Sequence, residues 1–273
     1  MTPSQSHQTL LSDIASAESG DGRAAFWWLG QHSFIIKIAG KVIYIDPYFD
    51  PNPARQTPPV LGFEELSNTD LVLVTHDHGD HLCPDSLRAL CRLSPHCQFV
   101  GPRTARKRMI VDGCIDETRL TSLSAGESVS MAGIHVTAIK GKHEFFDEDP
   151  ELGFPWLGYV VEADDLAFYH AGDTIMYEGL LTALRAWPRF DVMFLPMNGR
   201  DAERYARNIM GNFTFQEAAE LAGELGTGLA VPAHYDMFVG NQEDPAKFVA
   251  FLNAKYPGIK SWVGSPGTRV TFP

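Results

Sequence analysis

His76-Asp77-His78-Gly79-Asp80-His81 follows directly on the apolar run Leu71-Val72-Leu73-Val74-Thr75. Three of the ten histidines thus fall within six residues, beside a carboxylate, where a buried strand should give way to a loop. Imidazole and carboxylate together suit zinc, manganese and iron. The alternative, solvated loop histidines with Asp80 as a helix cap, is weaker, because such a cluster would repel itself on protonation and spoil a helix start. A loop leaving a rigid strand can aim His76 and His78 at one ion, while Asp80 and His81, just past flexible Gly79, turn toward a second. Pro84 and Asp85 then open a helix predicted through Leu93.

Composition frames that unit. With 273 residues, 44% hydrophobic content and 17 phenylalanines, the chain can bury a substantial core without disulfide staples. A single domain over residues 1–273 is expected, with the polar stretch 1–22 as a loosely ordered N-terminal segment. The start lacks the basic and apolar regions of a secretory signal, and no later segment has the long uncharged apolar run of a membrane span, so a soluble cytoplasmic protein is expected. Cys83, Cys91, Cys97 and Cys114 form no CxxC pair and read as reduced thiols. A net charge of −12 excludes a general nucleic-acid surface, which needs a basic face to neutralise phosphates. The densest basic cluster, Arg103, Arg106, Lys107 and Arg108, reads as a solvated helix face.

Short β-rich segments dominate both halves. Ala25 to Leu29, Ser33 to Ile38 and Lys41 to Ile45 alternate and carry β-branched or aromatic residues, with Ala39-Gly40 as a tight turn, which predicts an antiparallel meander. Leu71 to Thr75, Gln98 to Val100, His135 to Ile139, Tyr159 to Glu162, Leu166 to Tyr169, Val192 to Leu195 and Gly228 to Val231 add further strands. A helix is predicted from Thr214 to Leu225, where Thr214 with Glu217 fits a capping box. Two sheets face to face with helices outside would bury these patterns.

Further metal donors stand at the predicted strand ends. His143 follows the strand His135 to Ile139 and would complete a three-histidine site with His76 and His78. Asp173 follows Phe168-Tyr169-His170-Ala171-Gly172, where a carboxylate can bridge two cations and offset their charge. His234 follows Leu229-Ala230-Val231-Pro232-Ala233 and would pair with Asp80 and His81.

From about Phe26 to Phe272 the chain resembles the metallo-β-lactamase superfamily. The resemblance implies a four-layer αββα sandwich of two mixed sheets and a dinuclear site at one edge: His76, His78 and His143 on one ion, Asp80, His81 and His234 on the other, with Asp173 between them. Asp46, in Tyr44-Ile45-Asp46-Pro47, matches an early strand-end aspartate that orients the ligand loop by hydrogen bonding rather than touching metal. Phe26-Trp27-Trp28-Leu29-Gly30, Val100-Gly101-Pro102-Arg103-Thr104 and Pro232-Ala233-His234-Tyr235-Asp236-Met237-Phe238 are most similar to the L-ascorbate-6-phosphate lactonase group. That similarity implies lactonase activity and homo-oligomers, although this chain is shorter than members of that group and could lack their substrate-contacting insertions.

Two divalent ions, zinc or manganese, make a metal-dependent hydrolase the expected activity. A divalent ion lowers the pKa of bound water toward about 7, so metal-bound hydroxide serves as nucleophile, and Asp80 is the candidate proton shuttle to the leaving alkoxide. The expected substrate is a small anionic, sugar-phosphate-like lactone. After the strand Val192 to Leu195, Asn198, Arg200 and Arg207 are candidate substrate contacts, because guanidinium forks bind anions bidentately; a surface helix with Arg204 or Arg207 paired to Asp201 or Glu203 is the competing reading. Tyr235 and Asp236 follow a ligand and could touch substrate. His32 could reach the pocket or be an ordinary edge histidine; His170 would pack beside Asp173; and Phe145, Phe146, Phe154 and Trp156 form either a flap or core anchors. A phosphodiesterase is the rival enzyme, and a non-catalytic metal-binding assembly protein the rival class.

Overall fold

The computed structural model describes residues 3–273. In chain order the strands are β1 (Ala24–Trp28), β2 (Phe34–Ile38), β3 (Lys41–Ile45), β4 (Leu71–Leu73), β5 (Gln98–Pro102), β6 (Leu120–Leu123), β7 (Ser128–Met131), β8 (Ile134–Lys140), β9 (Leu157–Ala163), β10 (Leu166–His170), β11 (Val192–Pro196), β12 (Leu229–Ala233), β13 (Lys260–Ser261) and β14 (Arg269–Phe272). The helices are α1 (Pro3–Ser16), α2 (Pro84–Leu93), α3 (Arg106–Val111), α4 (Leu180–Leu184), α5 (Ala202–Ala206), α6 (Phe215–Leu225) and α7 (Pro245–Lys255).

The strands form two seven-stranded sheets, ordered β14-β1-β2-β3-β4-β5-β6 and β13-β12-β11-β10-β9-β8-β7. Each mixes antiparallel hairpins with a parallel run: β3 to β6 in the first sheet, β10 to β13 in the second. Period-two alternation explains the layering. Phe26, Trp28, Phe34, Ile36 and Ile43 face the second sheet and pack with Val136, Tyr159, Phe168 and Phe194. Their neighbours Trp27, Ile35, Tyr44 and Val72 face outward and are covered by Leu87 and Leu90 of α2 and Met109 of α3. On the far side, Ala218, Leu221, Phe248 and Leu252 of α6 and α7 cover the second sheet. The result is the expected αββα sandwich.

The meander is antiparallel through β1, β2 and β3, and α2 spans the predicted Pro84–Leu93. Thr214 caps α6 in a complete capping box with Glu217. The N-terminal segment differs from expectation. Instead of a loose stretch it forms α1, whose Leu10 and Ile14 are buried against the outer face of the first sheet; Trp27 Nε1 donates to Asp13 Oδ2 at 2.8 Å. Two apolar residues one turn apart suffice for docking where a tryptophan partner waits on the strand. Met1 and Thr2 lie outside the described residues. The basic cluster is paired at the surface, Arg103 with Glu127 and Arg106 with Glu117. The cysteines are free thiols. Among the described residues, no helix is long and apolar enough to cross a membrane.

Candidate metal centre

The parallel runs of both sheets end at one edge, the place where open α/β sheets present their loops to ligands. There the backbone leaves β3 through Asp46, β4 through Thr75 and His76, β10 through Asp173, and β12 through His234. Asp46 and His234 adopt left-handed backbone (φ +46° and +60°), which a non-glycine residue holds only where its surroundings over-determine it.

Asp46 is fully buried and organises the ligand loop. Its Oδ1 accepts from the Thr75 N–H at 2.8 Å, and its Oδ2 accepts from Thr75 Oγ1 at 2.7 Å and lies 2.8 Å from His81 Nδ1. A hydroxyl has one proton, and Thr75 spends it on Asp46. Its oxygen therefore accepts from His76 Nδ1, 3.0 Å away, so that proton sits on Nδ1. Both imidazoles are thereby turned to present Nε2 inward. The Nε2 atoms of His76 and His81 are buried without a hydrogen-bond partner among the described residues. Orphaned buried nitrogens are costly unless something else satisfies them, and a divalent cation would.

Two groups of donors gather at this edge. His76, His78 and Asp173 offer atoms within 4.8 Å of one another, and so do Asp80, His81 and His234. Asp173 stands between them: Oδ1 is 3.3 Å from His81 Nε2, and Oδ2 is 3.3 Å from His234 Nε2 and 4.0 Å from His76 Nε2. Asp80 Oδ2 is 3.8 Å from both His81 Nε2 and His234 Nε2. His143, expected to complete the first trio, flanks it. Its ring centre is 5.2 Å from that of His78 and 6.2 Å from that of His76, and its buried Nδ1 has no partner among the described residues.

The electrostatics fit cations. Burial pushes His76 well down and His143 down to about 4, which keeps these rings neutral, as metal ligands must be. Burial also opposes charge on His81, but the carboxylates of Asp173, Asp80 and Asp46 outweigh it and push His81 up to about 10. Three carboxylates around that position call for positive charge.

Other expected residues fall differently. Arg200 does not present a free fork to an anion. Its Nη1 and Nη2 each lie 2.7 Å from a Glu217 oxygen, and Nη1 also donates to the Asn212 carbonyl at 3.1 Å. The Glu217 of the capping box was the partner waiting across the loop, so this guanidinium holds α6 rather than a substrate. Arg204 pairs with Asp201, and exposed Arg207 donates to the Gly240 carbonyl at 3.1 Å. Asn198 is buried and bonded to Asn212 and Asn241. Tyr235 is mostly buried, stacked on Trp28 with ring centres 5.3 Å apart. His32 is not an edge histidine: it is fully buried against His170, 4.0 Å between centres. His170 donates from Nε2 to the His32 carbonyl at 2.9 Å and so supports the turn before Asp173.

The segment 144–156 divides its roles. Phe146 and Phe154 anchor it around Lys140, whose Nζ lies 4.4 and 5.1 Å from their ring centres. Trp156 instead walls the first donor group, 5.0 to 5.1 Å from the ring centres of His76, His78 and His143. Gln31 escaped the sequence reading altogether. Its Nε2 donates to Asp80 Oδ2 at 2.6 Å and lies 3.2 Å from His234 Nε2. One signal could have found it: the β1–β2 turn that carries it lies at the same end of the sheet as the exit of β3.

Comparison with known proteins agrees with this architecture. The family model described as "Beta-lactamase superfamily domain" matches residues 41–235, a span that contains Asp46 and every candidate donor from His76 to His234. A UPF0173 protein of Pyrococcus furiosus is 29% identical over 221 residues, covering 81% of this chain and 87% of that protein. A UPF0173 metal-dependent hydrolase of Nitratidesulfovibrio vulgaris is 28% identical over 258 residues, covering 90% and 94%. Among solved structures, Igni18, a metallo hydrolase of Ignicoccus hospitalis, superposes with a TM-score of 0.72 at 24% identity over 92% of this chain and 99% of that one. An isothiocyanate hydrolase from Delia radicum gut bacteria gives 0.70 at 16% identity, over 90% and 98%. These likenesses at low identity speak for the fold alone, whereas the family match spans most of the chain: the protein belongs to the β-lactamase superfamily domain family, within the metallo-β-lactamase superfamily.

Proposed function

We propose that the protein is a metal-dependent hydrolase that holds two divalent cations, zinc or manganese, and opens a small lactone or carboxylic ester. The carrying observation is the convergence of two three-donor groups on Asp173, with the buried Nε2 atoms of His76 and His81 unpartnered among the described residues. The name metal-dependent hydrolase borne by curated relatives supports the same reading. Bound at these groups, divalent cations supply Lewis-acid activation of water and of the electrophilic oxygen.

The chain's own residues supply the rest. Asp46 fixes His81 and the exit of β4, so the donors are set before substrate arrives. Asp80 is partly exposed and faces both His81 and His234; its carboxylate is placed to take a proton from attacking water and hand it to the departing alkoxide. Trp156 provides a flat wall beside the first group, suited to a planar ring or ester. Since Arg200 is committed to Glu217, an anionic handle on the substrate has no support from that side chain.

The test is turnover by protein loaded with Zn²⁺ or Mn²⁺ on a panel of uncharged lactones, phosphorylated lactones, simple esters and bis-p-nitrophenyl phosphate. Lactone or ester turnover that vanishes on chelation is the expected result. Diester turnover without lactone or ester turnover would establish a phosphodiesterase instead. Two bound cations with no turnover of any member would favour a metal-binding assembly role.

A further inference from the structure

The two donor groups differ in what already touches them. In the first, the Nε2 of His76 has no hydrogen-bond partner among the described residues. In the second, the amide of Gln31 occupies two of the donors: Nε2 donates to Asp80 Oδ2 at 2.6 Å and stands 3.2 Å from His234 Nε2. An imidazole nitrogen carries in its ring plane either one proton or one lone pair, and so serves one partner. Whichever way the Gln31 amide is turned, its contact with His234 Nε2 and coordination of a cation by that nitrogen exclude each other. Asp173 approaches both groups, 3.3 Å from the Nε2 atoms of His81 and His234 and 4.0 Å from that of His76, whereas the Gln31 amide contacts only the second.

The Gln31 backbone cannot retreat to relieve the conflict. It sits in a left-handed turn (φ +53°), its N–H donates to Asp236 Oδ1 at 2.9 Å, and its carbonyl accepts from the His234 N–H at 2.8 Å and from Trp28 Nε1 at 3.0 Å. Only side-chain rotation can clear the second position. Because the residue is buried, that rotation must break a hydrogen bond to a carboxylate without water to replace it at once.

We propose that Gln31 is a competing side chain that makes cation binding sequential: the His76, His78 and Asp173 group fills first, and the Asp80, His81 and His234 group fills more weakly, after the amide has swung away. This rests on the two-cation reading of the site. It makes the second cation responsive to metal supply, so the protein would pass through a one-cation form over a defined range of free metal.

The test is a Zn²⁺ titration of the full-length, metal-stripped protein by calorimetry with a competing chelator, alongside zinc content by elemental analysis. Wild type is expected to take two equivalents in separable steps. Gln31→Asn tolerates the left-handed backbone but falls one methylene short; Gln31→Met keeps the length without the N–H. Each should tighten the second step about tenfold or more, the scale of a hydrogen bond to a charged group, and leave the first unchanged. Two equivalents with a second step unmoved or weakened in both variants would overturn the competing role while leaving the two-cation reading intact. Fewer than two equivalents in wild type and both variants would remove that reading and this inference with it.

Discussion

Replacing Arg200 by alanine should cost stability and leave KM where it was. The guanidinium makes two 2.7 Å contacts with Glu217 and a third bond to the Asn212 carbonyl, with the paired side chains 27% and 25% exposed. An exposed ion pair is worth ~0–1 kcal/mol, and breaking a buried one costs ~3–5 kcal/mol. Quarter exposure places this bidentate pair between those limits, at about 2 kcal/mol. At roughly 2–4 °C per kcal/mol for a large domain, Tm should fall by about 4–8 °C. Burial opposes ionisation of Glu217, but Arg200 wins and holds its carboxyl below the usual range. That contribution is therefore full above the ordinary glutamate range and is lost as pH falls below it, so the gap between wild type and Arg200→Ala should narrow on acidification. Thermal melts across pH, with KM measured on charged and uncharged lactones, test this. An unchanged Tm with a raised KM for the charged substrate would refute the reasoning and restore Arg200 as an anion clamp.

Three further outcomes follow from the site. Asp46→Asn leaves His81 Nδ1 facing an amide that cannot fix the same tautomer, so zinc affinity should fall about 10–100-fold, measured by chelator competition. Asp80→Ala should lower kcat by about 10²–10⁴-fold, the range of a lost proton-transfer group, while roughly one equivalent of zinc stays bound; undiminished kcat would end the shuttle role. Trp156→Ala should raise KM for ring substrates several-fold through loss of an aromatic contact worth about 0.5–1.5 kcal/mol, with zinc content unchanged by elemental analysis.

The candidate donors that the structure brings together were legible because each is announced locally. His76, His78, Asp80 and His81 share one loop after an apolar strand, and Asp173 and His234 each follow a strand visible from its β-branched or aromatic run. What sequence reasoning missed depends on pairings between distant residues. Gln31 meets Asp80 across 49 positions and His234 across 203, and glutamine is not a residue type that suggests a metal site. Arg200 has Asp201 beside it and Glu203 three residues on, yet its partner is Glu217, brought close only when the loop after β11 folds back onto α6. The same holds for β14, a short edge strand that becomes visible only through its antiparallel register with β1. Trp156 stood among four aromatics of one segment, and nothing in their spacing separated the site wall from the anchors at Phe146 and Phe154.

The donors are divided between the two sheets. His76, His78, Asp80 and His81 hang from the first, and Asp173 and His234 from the second, and they meet at one edge of the sandwich. A cation bound there would act as a clasp between layers otherwise joined by side-chain packing and by a few hydrogen bonds, among them Leu157 N–H to the Thr75 carbonyl and Tyr159 Oη to the Val74 carbonyl. Cation binding therefore becomes a mechanical property of the whole molecule. Melting temperature should climb with free metal by mass action, and a substitution deep in the inter-sheet core, far from any donor, should register first as a loss of metal affinity, because the two halves of the clasp no longer meet.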